Sequence, residues 1–203
     1  MSLWAIVPVK PLRRGKSRLA GVLTEEERTL LNYSMLGNTL KALTSVPEID
    51  QVLVISRDTS ALALARDMGG RTLQEDGSSD LNTALRRATV VAQFYAAQQV
   101  LILPADLPLI SGEVLQSFIQ KAGKSPVVAI CPDRRMDGTN ALYISPAGLI
   151  DYQFGPGSFW RHVRQAEGYG VRVEICHIPE IALDLDLPED LELLQQLQQD
   201  VAA

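Results

Sequence analysis

The chain has little of several residue types on which common enzyme chemistries depend. Among 203 residues it holds two cysteines, Cys131 and Cys176, and two histidines, His162 and His177. So few, so placed, cannot make a Cys/His zinc set with the usual short ligand separations. Both cysteines lie in or beside apolar runs, VVAIC and VRVEIC, where a small buried thiol is the ordinary reading. No stretch approaches the roughly 20 consecutive apolar residues of a membrane helix, and the N-terminus lacks the charged-then-apolar order of a signal peptide. A soluble, cytosolic protein with no membrane partner is expected. Repeats, low-complexity tracts and Gly/Ser linkers are missing, so residues 1–203 are read as one domain. A formal charge of −5 speaks against a general nucleic-acid binder.

Acidic residues are missing from one end of the chain. The first is Glu25, whereas Lys10, Arg13, Arg14, Lys16 and Arg18 all precede it. The average charge therefore hides a segment that attracts anions.

Apolar strand-like runs alternate with amphipathic helical patterns, the signature of βαβ units and a largely parallel sheet. Strands are expected near 4–9, 51–56, 71–73, 99–104, 127–131, 140–144 and 171–177. Helices are expected over 24–45, opened by the capping box of Thr24 and Glu27, and over 59–68, 81–97 after Asp80, 111–122 after Ser111, 158–167 and 188–200 from Pro188. In open α/β sheets ligands gather at the carboxyl ends of the strands, and the polar motifs fall at those ends.

The first motif is WAIVPVKPLRRGKSRL, a buried strand followed by five cations on a loop and then the start of a helix or turn. Such a loop can neutralise a triphosphate and stabilise charge that develops during transfer; the competing reading is a solvated basic surface. Gly15-Lys16-Ser17 imitates the end of a P-loop, but the glycine required five positions earlier is Lys10, and Pro11 has no N–H for the phosphate cradle. Side chains must carry the phosphate contacts.

The second motif, VLILPADLPLISGE, ends a strand in Asp106, a natural magnesium ligand at the crevice, since Pro108 and Ser111 already serve the turn and helix start. The third, Asp184-Leu185-Asp186-Leu187-Pro188, alternates so that both aspartates face one side of an extended segment, where they could present two carboxylates to one ion; the other reading is that one of them caps the turn into the helix. Glu189 and Asp190 are read as complements of the following helix dipole. The fourth pairs DGTNAL, with Thr139 and Asn140, and FGPGS, with Gly155, Gly157 and Ser158. Each could be only a turn. Together they suggest an acceptor pocket in which the hydroxyl of Ser158 and the free N–H groups of the helix it opens bind an anion.

In order, VPVKPLRRGKSRL, DLNTAL, PADLPLI, DGTNAL, FGPGS and LDLDLPEDL resemble the 2-phospho-L-lactate/phosphoenolpyruvate guanylyltransferases of coenzyme F-420 biosynthesis, over nearly the whole chain. The resemblance implies a Rossmann-like nucleotidyltransferase fold of the nucleotide-diphospho-sugar transferase type, with helices on both faces of a mostly parallel central sheet. It also implies that GTP condenses with phosphoenolpyruvate or 2-phospho-L-lactate to a guanosine diphospho-adduct and pyrophosphate, with Mg2+ as cofactor. By the same resemblance Lys16 and Arg18 contact the triphosphate and join Asp106 in catalysis, with Lys10 and Asn82 on the nucleotide. Asp106 and Asp184, with Asp186 as a third candidate, hold magnesium, and Thr139, Gly155 and Ser158 bind the acceptor. A homodimer is compatible with this reading. The glycine-rich loop usual after the first strand of nucleotidyltransferases is replaced here by Lys10-Pro11-Leu12-Arg13-Arg14-Gly15. Such an acceptor brings an ionised phosphate oxygen as its nucleophile, so no general base is needed. The alternatives are another cofactor or sugar-phosphate nucleotidyltransferase, a P-loop-like NTPase, and a nucleotide-binding module without turnover.

Overall fold

A computed structural model describes residues 2–75 and 80–202. Every expected strand and helix is present among them. The chain runs β1 (Leu3–Val9), α1 (Glu25–Thr44), β2 (Ile49–Ser56), α2 (Thr59–Asp67), β3 (Arg71–Gln74), α3 (Leu81–Phe94), β4 (Gln99–Ile102) and α4 (Gly112–Ala122). It continues through β5 (Val127–Pro132), β6 (Thr139–Ser145), α5 (Ser158–Gly168), β7 (Arg172–Ile175), α6 (Pro179–Ala182) and α7 (Pro188–Ala202). The strands form one sheet in the order β3-β2-β1-β4-β6-β5-β7, in which only β6 runs antiparallel to its neighbours.

Alternation along the strands explains the layers. Leu3, Ala5 and Val7 of β1 pack with Leu36, Leu40 and Leu43 of α1 and with the buried faces of α2 and α4. Trp4 and Ile6 point the other way, into a second core with Leu85 and Ala88 of α3 and Phe159 and Val163 of α5. Helices therefore cover both faces, as expected for a sheet whose strands are apolar on both sides. Each fully buried leucine contributes roughly 1.5–3 kcal/mol.

Helix starts were readable because their caps are local. Thr24 and Glu27 form the reciprocal capping box, Asp80 accepts from the N–H groups of Asn82 and Thr83, and Ser111 accepts from that of Val114. Helix ends were less so. α3 stops at Phe94, short of the expected residue 97, because Ala96 takes a left-handed conformation (φ 64) while the N–H of Ala97 reaches back to the carbonyl of Ala92. This cap normally carries glycine, and alanine hides it. The 3-10 turn Ser17–Leu19 stands where the first motif was expected to open a helix or turn, whereas the four-residue α6 was not foreseen. Cys131 and Cys176 are free, buried thiols, and burial pushes Cys131 up to about 11.

Candidate active site

A cavity of about 450 Å³ opens along the edge of the sheet where the parallel strands end. The chain leaves β1 for β2 on one side and later crosses to β4 on the other, so the crevice lies at the switch point that open α/β sheets use for ligands. Lys10, Arg57 and Glu75, which follow β1, β2 and β3, line one half. Asp133, Gly138 and Thr139, at the end of β5 and the start of the reversed β6, line the other. Lys16, Asp106, Asp184 and Asp186 stand in the lining with them.

The loop after β1 is shaped by partners far along the chain. The N–H of Leu12 donates to Asp58 Oδ2 at 2.7 Å, and Asn32 Nδ2 donates to the carbonyl of Leu12 at 2.7 Å. Gly15 passes so close that a Cβ there would lie 2.6 Å from Asn32 Nδ2. Lys16 follows in a left-handed conformation (φ 56), unusual for a residue with a long side chain. Its ammonium lies 3.1 Å from Asp106 Oδ2 and 3.1 Å from Asp186 Oδ1, with only 5% of the side chain exposed. Burial lowers the Lys16 pKa, but the charges of Asp106 and Asp186 and the bonds to them outweigh it, and the net shift is upward. The lysine stays charged. Lys10 is exposed in the cavity lining. Arg18 sits outside the lining with its side chain 69% exposed, 3.6 Å from Asp186.

The acidic segment is held as its alternation predicts. Leu183 and Leu185 are buried while Asp184 and Asp186 line the cavity, and the N–H of Leu185 bonds to the carbonyl of Asp106 at 3.0 Å. Asn140 Nδ2 donates to the carbonyls of Ile181 and Ala182 and, at 3.4 Å, to Asp184 Oδ1. Burial, then the charge of Asp106, pushes the Asp184 carboxyl upward. Asp190, which sequence reasoning gave only a dipole role, is 1% exposed and accepts the N–H groups of Asp186 and Leu187 while paired with Arg134 at 2.6 Å. It orients the turn that carries Asp186. A carboxylate three positions after the turn residue was the signal for it.

Thr139, Gly155 and Ser158 all line the cavity, but the expected anion trap at the start of α5 needs correction. The cap is Gly157 (φ 70), and Ser158 is 1% exposed, its hydroxyl donating to Thr139 Oγ1 at 3.2 Å. The N–H groups of residues 157–159 are already engaged. Those of Gly157 and Phe159 bond to the side chain and carbonyl of Asp137, and that of Ser158 to the carbonyl of Gly155. What this corner offers is the Thr139/Ser158 hydroxyl pair and a backbone that only glycine fits at Gly155 (φ 122). Asn82, expected on the nucleotide, lies outside the lining. Its amide exchanges two hydrogen bonds with the backbone of Phe154, at 2.7 and 3.2 Å, and so fixes the FGPGS loop.

A parallel sheet with one reversed strand and a lysine set between aspartates at its switch point define a nucleotidyltransferase-type fold. Solved structures agree: a nucleotidyl transferase from Methanothermobacter thermautotrophicus superposes with a TM-score of 0.71 at 18% identity, covering 98% of this chain and 99% of that one. A 4-diphosphocytidyl-2C-methyl-D-erythritol synthase gives 0.67 at 16%, covering 97% and 99%. The family model described as "Guanylyl transferase CofC like" matches residues 3–199, and the chain belongs to that family of guanylyltransferases. Among its relatives, the phosphoenolpyruvate guanylyltransferase of Rubrobacter xylanophilus is 43% identical over 195 residues, 96% of this chain and 94% of that protein. The 2-phospho-L-lactate guanylyltransferase of Methanothermobacter thermautotrophicus is 35% identical over 193 residues, 94% and 83%.

Proposed function

We propose that this cavity condenses GTP with phosphoenolpyruvate or 2-phospho-L-lactate, in the cytosol and in the service of coenzyme F-420 biosynthesis. The observation that carries the reading is the buried ammonium of Lys16 between Asp106 and Asp186, at the meeting of the two cavity halves. The nucleotide takes the half at the ends of β1, β2 and β3, with Lys10 on its phosphates. The acceptor takes the half beside Thr139, Gly155 and Ser158. A phosphate oxygen of the acceptor attacks the α-phosphorus of GTP, a new P–O–P linkage forms, the bond to the bridging oxygen breaks, and pyrophosphate leaves with that electron pair. No proton moves.

Lys16 uses two of its three N–H donors on carboxylates, and the third suits a phosphate oxygen at the reacting centre. Arg18, at the mouth, adds long-range attraction. Magnesium fits the donor set. Among the described residues no group of three or more His, Cys, Asp or Glu is placed to hold a metal, but magnesium is commonly held by one or two carboxylates together with substrate phosphates. Asp106 and Asp184 repel one another and would hold it, with Asp186 beside them. When bound, the ion neutralises charge on the phosphates and draws the two polyanions together.

The test is a screen of GTP and ATP against phosphoenolpyruvate, 2-phospho-L-lactate and 3-phosphoglycerate, read as pyrophosphate. GTP with phosphoenolpyruvate is expected to lead, because the relative of higher identity above carries that name. Release of inorganic phosphate in place of pyrophosphate would sink the transferase reading.

A further inference from the structure

Below the acceptor end of the cavity lies an imidazole that the reaction itself does not touch. His162 of α5 is completely buried. Its Nε2 accepts the backbone N–H of Gln153 at 3.0 Å, and its Nδ1 lies 3.1 Å from Thr139 Oγ1. Ser158 Oγ lies 3.2 Å from that same oxygen. Thr139 and Ser158 line the cavity, whereas His162 stands behind them.

The hydrogens of these three groups can be counted. A backbone N–H only donates, so Nε2 presents its lone pair. Burial, and then the charge of Arg161, pushes the imidazole down to about 4, so at neutral pH the ring is uncharged and its one N–H is on Nδ1. That proton is directed at Thr139 Oγ1, which must accept it. The two hydroxyls then share one bond, in which one of them donates. Whichever donates, one hydroxyl proton of the pair has no protein acceptor among the described residues, and both residues line the cleft. The opposite tautomer would set an N–H against the N–H of Gln153. It would also draw a hydroxyl proton back to Nδ1 and leave the pair with none to donate.

We propose that His162 is a positioning residue that fixes the polarity of the acceptor end. As the Nδ1–H tautomer it makes Thr139 Oγ1 an acceptor and leaves one hydroxyl proton of the Thr139/Ser158 pair to donate to an anionic oxygen of the acceptor. The corner is thereby matched to a phosphate or carboxylate and mismatched to an ammonium group. This rests on the reading above that places the acceptor there.

Two measurements test it. In the 15N-labelled protein at pH 7, His162 should show the Nδ1–H tautomer, assigned by comparison with His177→Gln, since the chain has only these two histidines. In steady state, His162→Phe should raise the KM for phosphoenolpyruvate about tenfold, the scale of one oriented hydrogen bond to a charged group, with the KM for GTP within about twofold. His162→Asn, whose amide can stand where Nδ1–H stood, should recover most of that loss, and it carries the test if the phenylalanine variant does not fold. An Nε2–H or charged imidazole overturns the proposal. So does an equal rise in both KM values, or an asparagine variant no better than phenylalanine when both melt like wild type. Absence of any pyrophosphate from the wild-type protein with either acid would instead defeat the acceptor reading, and the imidazole spectrum still decides the tautomer.

Discussion

Replacing Lys16 with methionine keeps most of the side-chain volume and removes the ammonium held between Asp106 and Asp186. Two contacts of 3.1 Å would each be worth roughly 5 kcal/mol of Coulomb energy at an effective dielectric of about 20. That figure is far above the net. The two aspartate side chains are 33% and 40% exposed, so water screens them, and desolvating the ammonium offsets much of the attraction. A net loss of about 1–2 kcal/mol at pH 7 is expected, a fall in melting temperature of about 3–6 °C for a chain of this size. The sign of the pH dependence follows from the raised pKa of Lys16. Its contribution is complete below the unfolded value of 10.5 and is lost as pH rises through the higher folded value, so the gap between Lys16→Met and wild type should hold from pH 7 to 10 and close only above 10.5. Turnover should fall about 10²- to 10³-fold, as when one preorganised donor is removed from a site of developing charge. Melting curves across pH and a coupled pyrophosphate assay read both. A variant that melts at or above wild type, or turns over at its rate, would show that the lysine neither braces the carboxylates nor serves the transfer.

Asp106→Asn should fold normally and lose about 10³-fold or more in turnover, and chelation of divalent ions should silence the wild type until magnesium is restored; wild-type rates in either experiment remove the metal role. Asp190→Asn should destabilise the protein by about 1–3 kcal/mol at neutral pH, because a buried acceptor of two N–H groups and an arginine loses its charge. Burial raises the Asp190 pKa, but those bonds outweigh it and hold it below the ordinary 3.8, so its contribution is present above that value and lost as pH falls further; a gap to wild type unchanged at pH 3 contradicts the assignment. Gly15→Ala should force Asn32 off the carbonyl of Leu12 and raise the KM for GTP severalfold with kcat little changed, and unaltered GTP kinetics would show that the loop shape does not matter to the nucleotide.

The features legible in the sequence were those whose cause is local. Caps, strand alternation and the turn after β4 each depend on residues within a few positions, and the same alternation put Asp184 and Asp186 on one side. What could not be read was the use to which a polar group is put once distant segments meet it. Asn82 looked like a ligand residue and serves the backbone of Phe154, 72 positions away. Ser158 looked like an open cap, yet Asp137 and Gly155 had already taken the N–H groups of residues 157–159 and Thr139 the hydroxyl. His162 carried no motif at all, since a lone histidine on the inner face of a helix looks like any other core residue.

The loop after β1 shows why a local motif can mislead about mechanism. Gly15-Lys16-Ser17 copies a P-loop ending, but here the glycine admits Asn32 and the lysine is drawn into a left-handed conformation that costs on the order of 1–3 kcal/mol. The compensation comes from Asp106 and Asp186, which lie 90 and 170 residues further on, and from Asp58, which fixes Leu12 across 46. The Lys16 ammonium is therefore in place only after β2, β4 and the segment before α7 have docked. A glycine-rich loop needs no such partners, because its backbone N–H groups bind phosphate by themselves. Trading that backbone cradle for a buried lysine couples the nucleotide end of the cavity to the very carboxylates proposed to hold the metal. A substitution at either end should consequently be felt at the other, and Lys16→Met with Asp106→Asn should lose less together than the product of their separate losses.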